Sequence, residues 1–161
     1  MNPKILTPGS LPSAVAKLRR QGKRLVFTNG SFDILHAGHV RYLKKARSLG
    51  DVLIVGVNTD ASVKSYKGPK RPIHPQKDRL EVLTALACVD YAVLFGDPTP
   101  IGLILKIRPD VLVKGADWKL KDIVGAPEVK GWGGRVKRIS FLEGRSTTGA
   151  IERILAAYGK G

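Results

Sequence analysis

The sequence predicts an α/β fold with a mainly parallel sheet, on two observations. From about residue 24 to the end, apolar runs of strand length alternate with helix-length amphipathic segments, with no internal repeat or long linker. The runs Arg24–Asn29 and Val52–Val57 are apolar on nearly consecutive positions, as strands covered by helices on both faces must be. Between these two, residues 37–49 place Val40, Leu43, Ala46 and Leu49 on one side, and Gly50 follows as a stop, which makes a β-α-β crossover. A helix starting near Pro75 carries Leu80, Leu83, Leu86 and Ala87 inward and leads to a strand at Tyr91–Phe95. Thr99-Pro100 reads as a cap with proline in the first turn of a helix through Ile101, Ile104 and Leu105, which must end before Pro109. Val111–Val113 supplies a fourth strand and Arg135–Phe141 a fifth. Ser146-Thr147-Thr148 caps a last helix with Ile151, Ile154, Leu155 and Tyr158 expected inside. The expectation is one Rossmann-like domain over residues 1–161: a basic N-terminal extension or helix at 1–23, then a core at 24–161 with five strands and helices on both faces.

The chain has 161 residues, enough for one domain with a real core and too few for two ordinary ones. Hydrophobic residues make up 43% and charged residues 25%, a balance that disfavours both disorder and membrane embedding. Against 28 Lys and Arg stand 13 Asp and Glu, a net charge of +15, so an anionic partner is expected: nucleic acid, an anionic surface or a phosphorylated small molecule. The single cysteine, Cys88, lies in an apolar stretch and reads as a small buried hydrophobe, which suits a reducing cytoplasm. Met1–Ser10 lacks the pattern of a secretory signal, and no apolar run approaches membrane-spanning length. A cytoplasmic protein is expected.

In an open parallel sheet, ligands bind at the carboxyl ends of the strands. After the first long strand comes Gly30-Ser31-Phe32-Asp33-Ile34-Leu35-His36-Ala37-Gly38-His39, with two histidines three apart at the opening of a helix. That spacing puts both imidazoles on one face, where a helix N-terminus already offers free N–H groups to an anion, and Gly38 leaves room for it. The competing readings of an isolated H-x-x-H are a chance pair or part of a metal site. Zinc is disfavoured because no cysteine or third histidine accompanies the pair at a suitable spacing. Neither G-x-x-x-x-G-K-[ST] nor G-x-G-x-x-G follows the strand.

The decapeptide from Gly30 to His39 resembles the signature of the cytidylyltransferase-like nucleotidyltransferase superfamily. The likeness extends to Asn58–Lys64, the loop from Lys67-Gly68 to Arg71-Pro72-Ile73, Pro109–Asp117, and Glu143-Gly144 with Ser146-Thr147-Thr148. Within the superfamily the combination is most similar to the bacterial D-glycero-β-D-manno-heptose 1-phosphate adenylyltransferases, here without a fused sugar-kinase domain. The resemblance implies transfer of AMP from ATP to the sugar phosphate by in-line attack, with release of pyrophosphate and formation of ADP-heptose, a precursor of surface glycans such as the lipopolysaccharide core. It implies His36, His39 and Lys67 as catalytic residues and Ser31, Phe32, Gly38, Asp117, Ser146, Thr147 and Thr148 as nucleotide-binding residues. Asp33, Lys114 and Arg145 are implied as substrate-binding. ATP is the co-substrate, Mg2+ is expected to be ligated mainly by phosphate with no dedicated protein ligand, and a homodimer is expected.

Each assignment has a competitor. Lys64, Lys70 or Arg71 could substitute for Lys67, Asp122 for Asp117, and the Ser-Thr-Thr hydroxyls could serve only as a helix cap. Arg145 resembles the arginine of glycerol-phosphate cytidylyltransferases and leaves CTP open as donor. Trp118 could flank a base or cover the sugar, and Trp132 could serve a dimer contact or anchor a loop. Glycerol-3-phosphate cytidylyltransferase and FAD synthetase are the alternatives in the same chemistry. A basic nucleic-acid-binding domain, using Lys17, Arg19, Arg20, Lys23 and Arg24 with Arg135, Lys137 and Arg138, is the alternative from another class; it accounts for the charge and leaves the histidine pair unexplained. No nucleic-acid or membrane partner is expected.

Overall fold

A computed structural model describes residues 2–142 and 144–159. Its strands are β1 (Ile5–Leu6), β2 (Leu25–Gly30), β3 (Val52–Asn58), β4 (Tyr91–Phe95), β5 (Val111–Gly115) and β6 (Arg135–Ile139). The helices are α1 (Leu11–Arg20), α2 (Ala37–Arg47), α3 (Asp60–Lys67), α4 (Gln76–Ala85), α5 (Ile101–Ile107), α6 (Ala126–Gly131) and α7 (Thr147–Tyr158). The sheet is parallel throughout, in the order β1-β4-β3-β2-β5-β6. It has six strands rather than five, because Ile5–Leu6 in the basic N-terminal stretch pairs with Ala92–Val93 as an edge too short to show as an apolar run.

All seven residues of β3 are buried, so the uninterrupted apolar run reflects cover on both faces. One face packs Leu11, Val15 and Leu18 of α1, Leu103, Ile104 and Ile107 of α5 and Val129 of α6 against Phe27, Ile54 and Leu112. The other packs Tyr42, Leu43 and Ala46 of α2 and Leu80 and Leu83 of α4 against Val26, Leu53, Val55 and Val113, with Cys88 half-buried beside them. Three aspartates tie the amino ends of the central strands. Asp51, Asp90 and Asp110 each precede one strand and accept a backbone N–H from the neighbouring chain segment, at Arg24 (2.8 Å), Leu53 (2.7 Å) and Leu25 (2.6 Å). Each bond satisfies a donor that the ladder leaves free at the strand entrance, which fixes the register from the end opposite the ligand crevice.

Three sequence expectations change. The stretch after β3 folds as α3, so Lys67 is the last residue of a helix; only Ser62 and Val63 there are buried, too few to make a periodic signal. The apolar stripe of α7 is not inside: Ile154, Leu155 and Tyr158 are 55%, 62% and 84% exposed. The helix is held at its first turn, where the Thr147 hydroxyl donates to the Ile34 carbonyl, while α2 already covers the neighbouring sheet face. The Leu86 and Ala87 positions fall beyond the end of α4.

Trp132 is a loop anchor, its indole N–H donating to the Pro109 carbonyl (3.1 Å) under the Arg108 guanidinium. Within the basic N-terminal cluster, Arg19 pairs with Asp110 (2.6 Å) and donates to the Arg108 carbonyl. On β6, Arg135, Lys137 and Arg138 are exposed along the sheet edge. No described helix is long and apolar enough to cross a membrane.

Candidate active site

Strand order reverses beside β2, which has β3 on one side and β5 on the other, and a cleft of about 690 Å3 opens there at the carboxyl ends. The β2–β5 pairing stops at Phe27 and Leu112, while β2 continues to Gly30 and β5 to Gly115, so the two strands part and form its banks. Ser31, Phe32, His39, Lys67, Lys114, Asp117 and Trp118 line it.

The chain leaves β2 through Phe32, whose positive φ of 46° turns it back under Gly30 so that its ring is buried 5.5 Å from the His39 ring. His36 caps α2 in an extended conformation, its Nδ1 accepting the Gly38 N–H (3.1 Å). An accepting Nδ1 is unprotonated, so the neutral ring carries its proton on Nε2. A Cβ on Gly38 would lie 2.9 Å from the His36 ring and 3.5 Å from the Arg145 Cβ, so glycine lets the two approach.

The His36 and His39 rings stack at 3.9 Å. Burial holds His39 down to about 4, helped by the positive charges of His36 and Lys67; burial and the Arg145 charge lower His36. In the free protein at neutral pH the pair is therefore two uncharged imidazoles, donors without the repulsion of stacked cations.

Lys67 donates to the Ser31 hydroxyl (3.1 Å) from across the cleft, its affinity for a proton reduced by burial and by Arg71. The first turn of α7 adjoins the same rim. The Ser146 hydroxyl accepts the Gly149 N–H (2.9 Å), and the Thr147 hydroxyl reaches the Ile34 carbonyl, so the cap and the rim are one feature. Thr148 is exposed beside them. Glu143, in the string that precedes this turn, lies outside the described residues.

Asp33 does not face the cleft. Its side chain is fully buried, accepting the N–H groups of Ile73 (2.9 Å) and His74 (2.9 Å) and pairing with Arg71 at 2.8 Å. Burial alone would raise its carboxyl, and those bonds outweigh burial and hold it below the usual value. It fixes the Gly68–Pro75 loop rather than offering an oxygen to substrate. Asp33→Asn is expected to free that loop, read as faster cleavage near residues 68–75 in limited proteolysis with the sheet intact. Because its folded pKa is depressed, the stabilisation from Asp33 is present at neutral pH and is lost as pH falls through and below the usual carboxylate value.

Asp117 is exposed beyond β5 and forms no ion pair with Lys114. Burial pulls Lys114 down to about 8, with Asp117 opposing, and its ammonium lies 5.4 Å over the Trp118 ring. Sequence reasoning gave no site role to Asn29, Asn58, Tyr66 and Thr99, which also line the cleft, nor to Arg79, which lies under it. For Arg79 a signal existed: it stands four residues before inward-facing Leu83, on the buried side of α4.

The cytidylyltransferase-like family model matches residues 27–151, most of the chain. The chain belongs to this family. It is a nucleotidyltransferase. The bifunctional protein HldE of Geobacter sulfurreducens is 53% identical over 150 residues, which are 93% of this chain and 31% of that protein. HldE of Campylobacter concisus is 61% identical over 132 residues, 82% of this chain and 27% of that protein. The chain thus spans less than a third of the curated relatives it matches. A lipopolysaccharide core biosynthesis protein from Thermoplasma volcanium superposes with a TM-score of 0.61 at 31% identity, over 75% of this chain and 98% of that one.

Proposed function

We propose that the protein transfers AMP from ATP to D-glycero-β-D-manno-heptose 1-phosphate, releasing pyrophosphate and forming ADP-heptose. The observation that carries the transfer is the stacked neutral pair His36 and His39 beside the first turns of two helices, with Lys67 opposite: uncharged donors, helix N–H groups and one cation converge on one rim, as a triphosphate requires. The heptose acceptor rests on the motif strings from Pro109 to Asp117 and from Gly144 to Thr148, and the likeness to a lipopolysaccharide core biosynthesis protein agrees with it.

In this reading a phosphate oxygen of the acceptor attacks the α-phosphorus, and the bond from that phosphorus to the pyrophosphate oxygen breaks. The attacking oxygen is already ionised, so no general base is needed, which suits histidines that act as hydrogen-bond donors. His36 and His39 hold the charge that grows on the phosphates, Lys67 and Arg145 add cations, and the Thr147 and Thr148 N–H groups meet the oxygens. Phe32 and Gly38 keep the rim open, and Asp117 with Ser31 contacts the nucleotide. Mg2+ enters as part of the triphosphate substrate, held mainly by phosphate oxygens and water. The protein acts in the cytoplasm as a homodimer.

The test is pyrophosphate release with Mg2+, crossing ATP and CTP against heptose 1-phosphate, glycerol 3-phosphate and FMN. Turnover only with ATP and heptose 1-phosphate is expected. Turnover with another pair replaces the acceptor or the base, and absence of turnover with every pair overturns the reading.

A further inference from the structure

α7 overhangs the body of the protein. None of its described residues is buried. Among the described residues one hydrogen bond ties it to another element, from the Thr147 hydroxyl to the Ile34 carbonyl. Thr147, Ile151, Ile154 and Tyr158 follow at intervals of four, three and four and so share one face. That face meets the body only at its start: Thr147 and Ile151 are half-buried, whereas Ile154 and Tyr158, with Leu155 beside them, are mostly exposed. Beyond its first turn the helix therefore carries an apolar stripe into solvent, the mark of a contact surface.

Charge selects what covers the stripe. The chain as a whole carries +15 and attracts anions, yet α7 has one acid, Glu152, and one base, Arg153, a net of zero. A helix that lies on an anionic membrane flanks its apolar stripe with lysine and arginine, and nucleic acid is held through cations; α7 offers neither. It is a neutral apolar seam on a strongly cationic molecule, a place where a second copy, repelled elsewhere, can approach. The pattern is also self-complementary. Two α7 helices laid antiparallel about a two-fold axis near Ile154 and Leu155 set Ile151 against Tyr158 of the partner subunit, oppose their dipoles, and leave the small Ala150 and Ala157 along one flank, where the backbones come close.

We propose that α7 pairs with α7 of a second copy, and that this pairing holds the Ser146–Thr148 turn in place for catalysis. The inference rests on the homodimer of the nucleotidyl-transfer reading and adds its contact surface and its link to the site. The first turn of α7 adjoins the rim that carries His36 and His39, since Thr147 is bonded to the carbonyl two residues before His36. A helix with so little buried surface is free to tilt about that bond. Packing its far end against a partner removes the tilt and fixes the Thr147 and Thr148 N–H groups where phosphate oxygens meet them. A separated copy is thus a poorer enzyme than a paired one.

The experiment combines sedimentation velocity over a dilution series with pyrophosphate release per site, in wild type, Ile154→Asp and Tyr158→Asp. Both positions are exposed in the single chain, and an unchanged Tm of the dilute monomer shows that each variant is folded. Expected is a wild-type dimer that persists as salt is raised, because screening reduces the repulsion between cationic copies, and a dimer Kd raised about 100-fold or more in both variants. At a concentration where only the wild type is paired, kcat/KM for ATP should be about tenfold lower in the variants, and wild type diluted below its Kd should show the same loss. Ile154→Cys, close to the axis, should give a disulfide-linked dimer under mild oxidation that wild type, with Cys88 alone, does not. Variants as dimeric as wild type would place the interface elsewhere and overturn the proposal, as would a wild type that stays monomeric and instead binds vesicles of phosphatidylglycerol and phosphatidylcholine through the same residues. Equal activity of paired and separated copies would overturn the link to the site. Sedimentation needs no substrate, so failure of the heptose reading leaves the test of the interface intact.

Discussion

His39→Ala is expected to lower kcat by about two to three orders of magnitude, the usual effect of deleting one preorganised donor to developing negative charge. KM for ATP should change far less, because Lys67, the helix N–H groups and His36 still bind the triphosphate in its ground state. Asparagine, which keeps one donor, should recover part of the loss if its amide reaches the same oxygen. Single-turnover pyrophosphate release across the three proteins checks both points.

The pH dependence follows from the His39 value of about 4. In the unfolded chain the imidazole takes a proton near 6.5, so between about 6.5 and 4 the unfolded state binds more protons than the folded one, and the free protein loses stability as pH falls through that window. Near pH 7 the pair stays uncharged and meets the triphosphate as donors, so calorimetry of ATP binding in two buffers of different ionisation enthalpy should show the same proton uptake in wild type and in the His36→Gln, His39→Gln double variant.

Arg79→Met is expected to be the most destabilising single substitution near the site. The Arg79 side chain has no exposed surface, and its guanidinium donates to the carbonyls of His74 (3.0 Å), Asn58 (2.8 Å) and Ser31 and to the Asp60 carboxylate (2.8 Å). One cation thereby joins the exit of β2, the end of β3, the start of α3 and the loop before α4. Methionine fills much of the volume and leaves three carbonyls and a carboxylate without a donor. Breaking a buried pair in this way costs about 3–5 kcal/mol, or roughly 10 °C or more in Tm for a chain of this size. Lysine carries the charge without the planar fork and cannot reach the four acceptors together, so Arg79→Lys should recover little. Differential scanning calorimetry measures the loss. Because Ser31 is both tethered by Arg79 and bonded to Lys67, kcat at temperatures where the variant is still folded should fall too.

The central strands were legible because burial on both faces writes itself as consecutive apolar residues. The histidine pair was legible because a turn, a glycine and a helix start coincide in ten residues. Other features left weaker marks. β1 is two residues long, and α3 buries too little to show a period. The Ile151–Tyr158 stripe has the spacing of a core helix and lies mostly in the open, since periodicity tells which residues share a face and nothing about what covers it. A carboxylate inside a binding motif reads the same whether it faces ligand or, like Asp33, ties down its own loop. Asn29 and Lys114 lie 85 positions apart and meet only through the register of β2 on β5, which no local pattern encodes.

The borders of the sheet bear on whether copies of the protein can pair strand to strand at high concentration. One border ends after two residues, too little to template a new strand. The other, β6, exposes Arg135, Lys137 and Arg138, so a second copy laying its own β6 alongside would set like charges against one another at every outward position. Part of the +15 charge thus protects against ribbon-like self-assembly, a hazard that every open parallel sheet carries, and leaves the cleft end of the molecule free for its substrates.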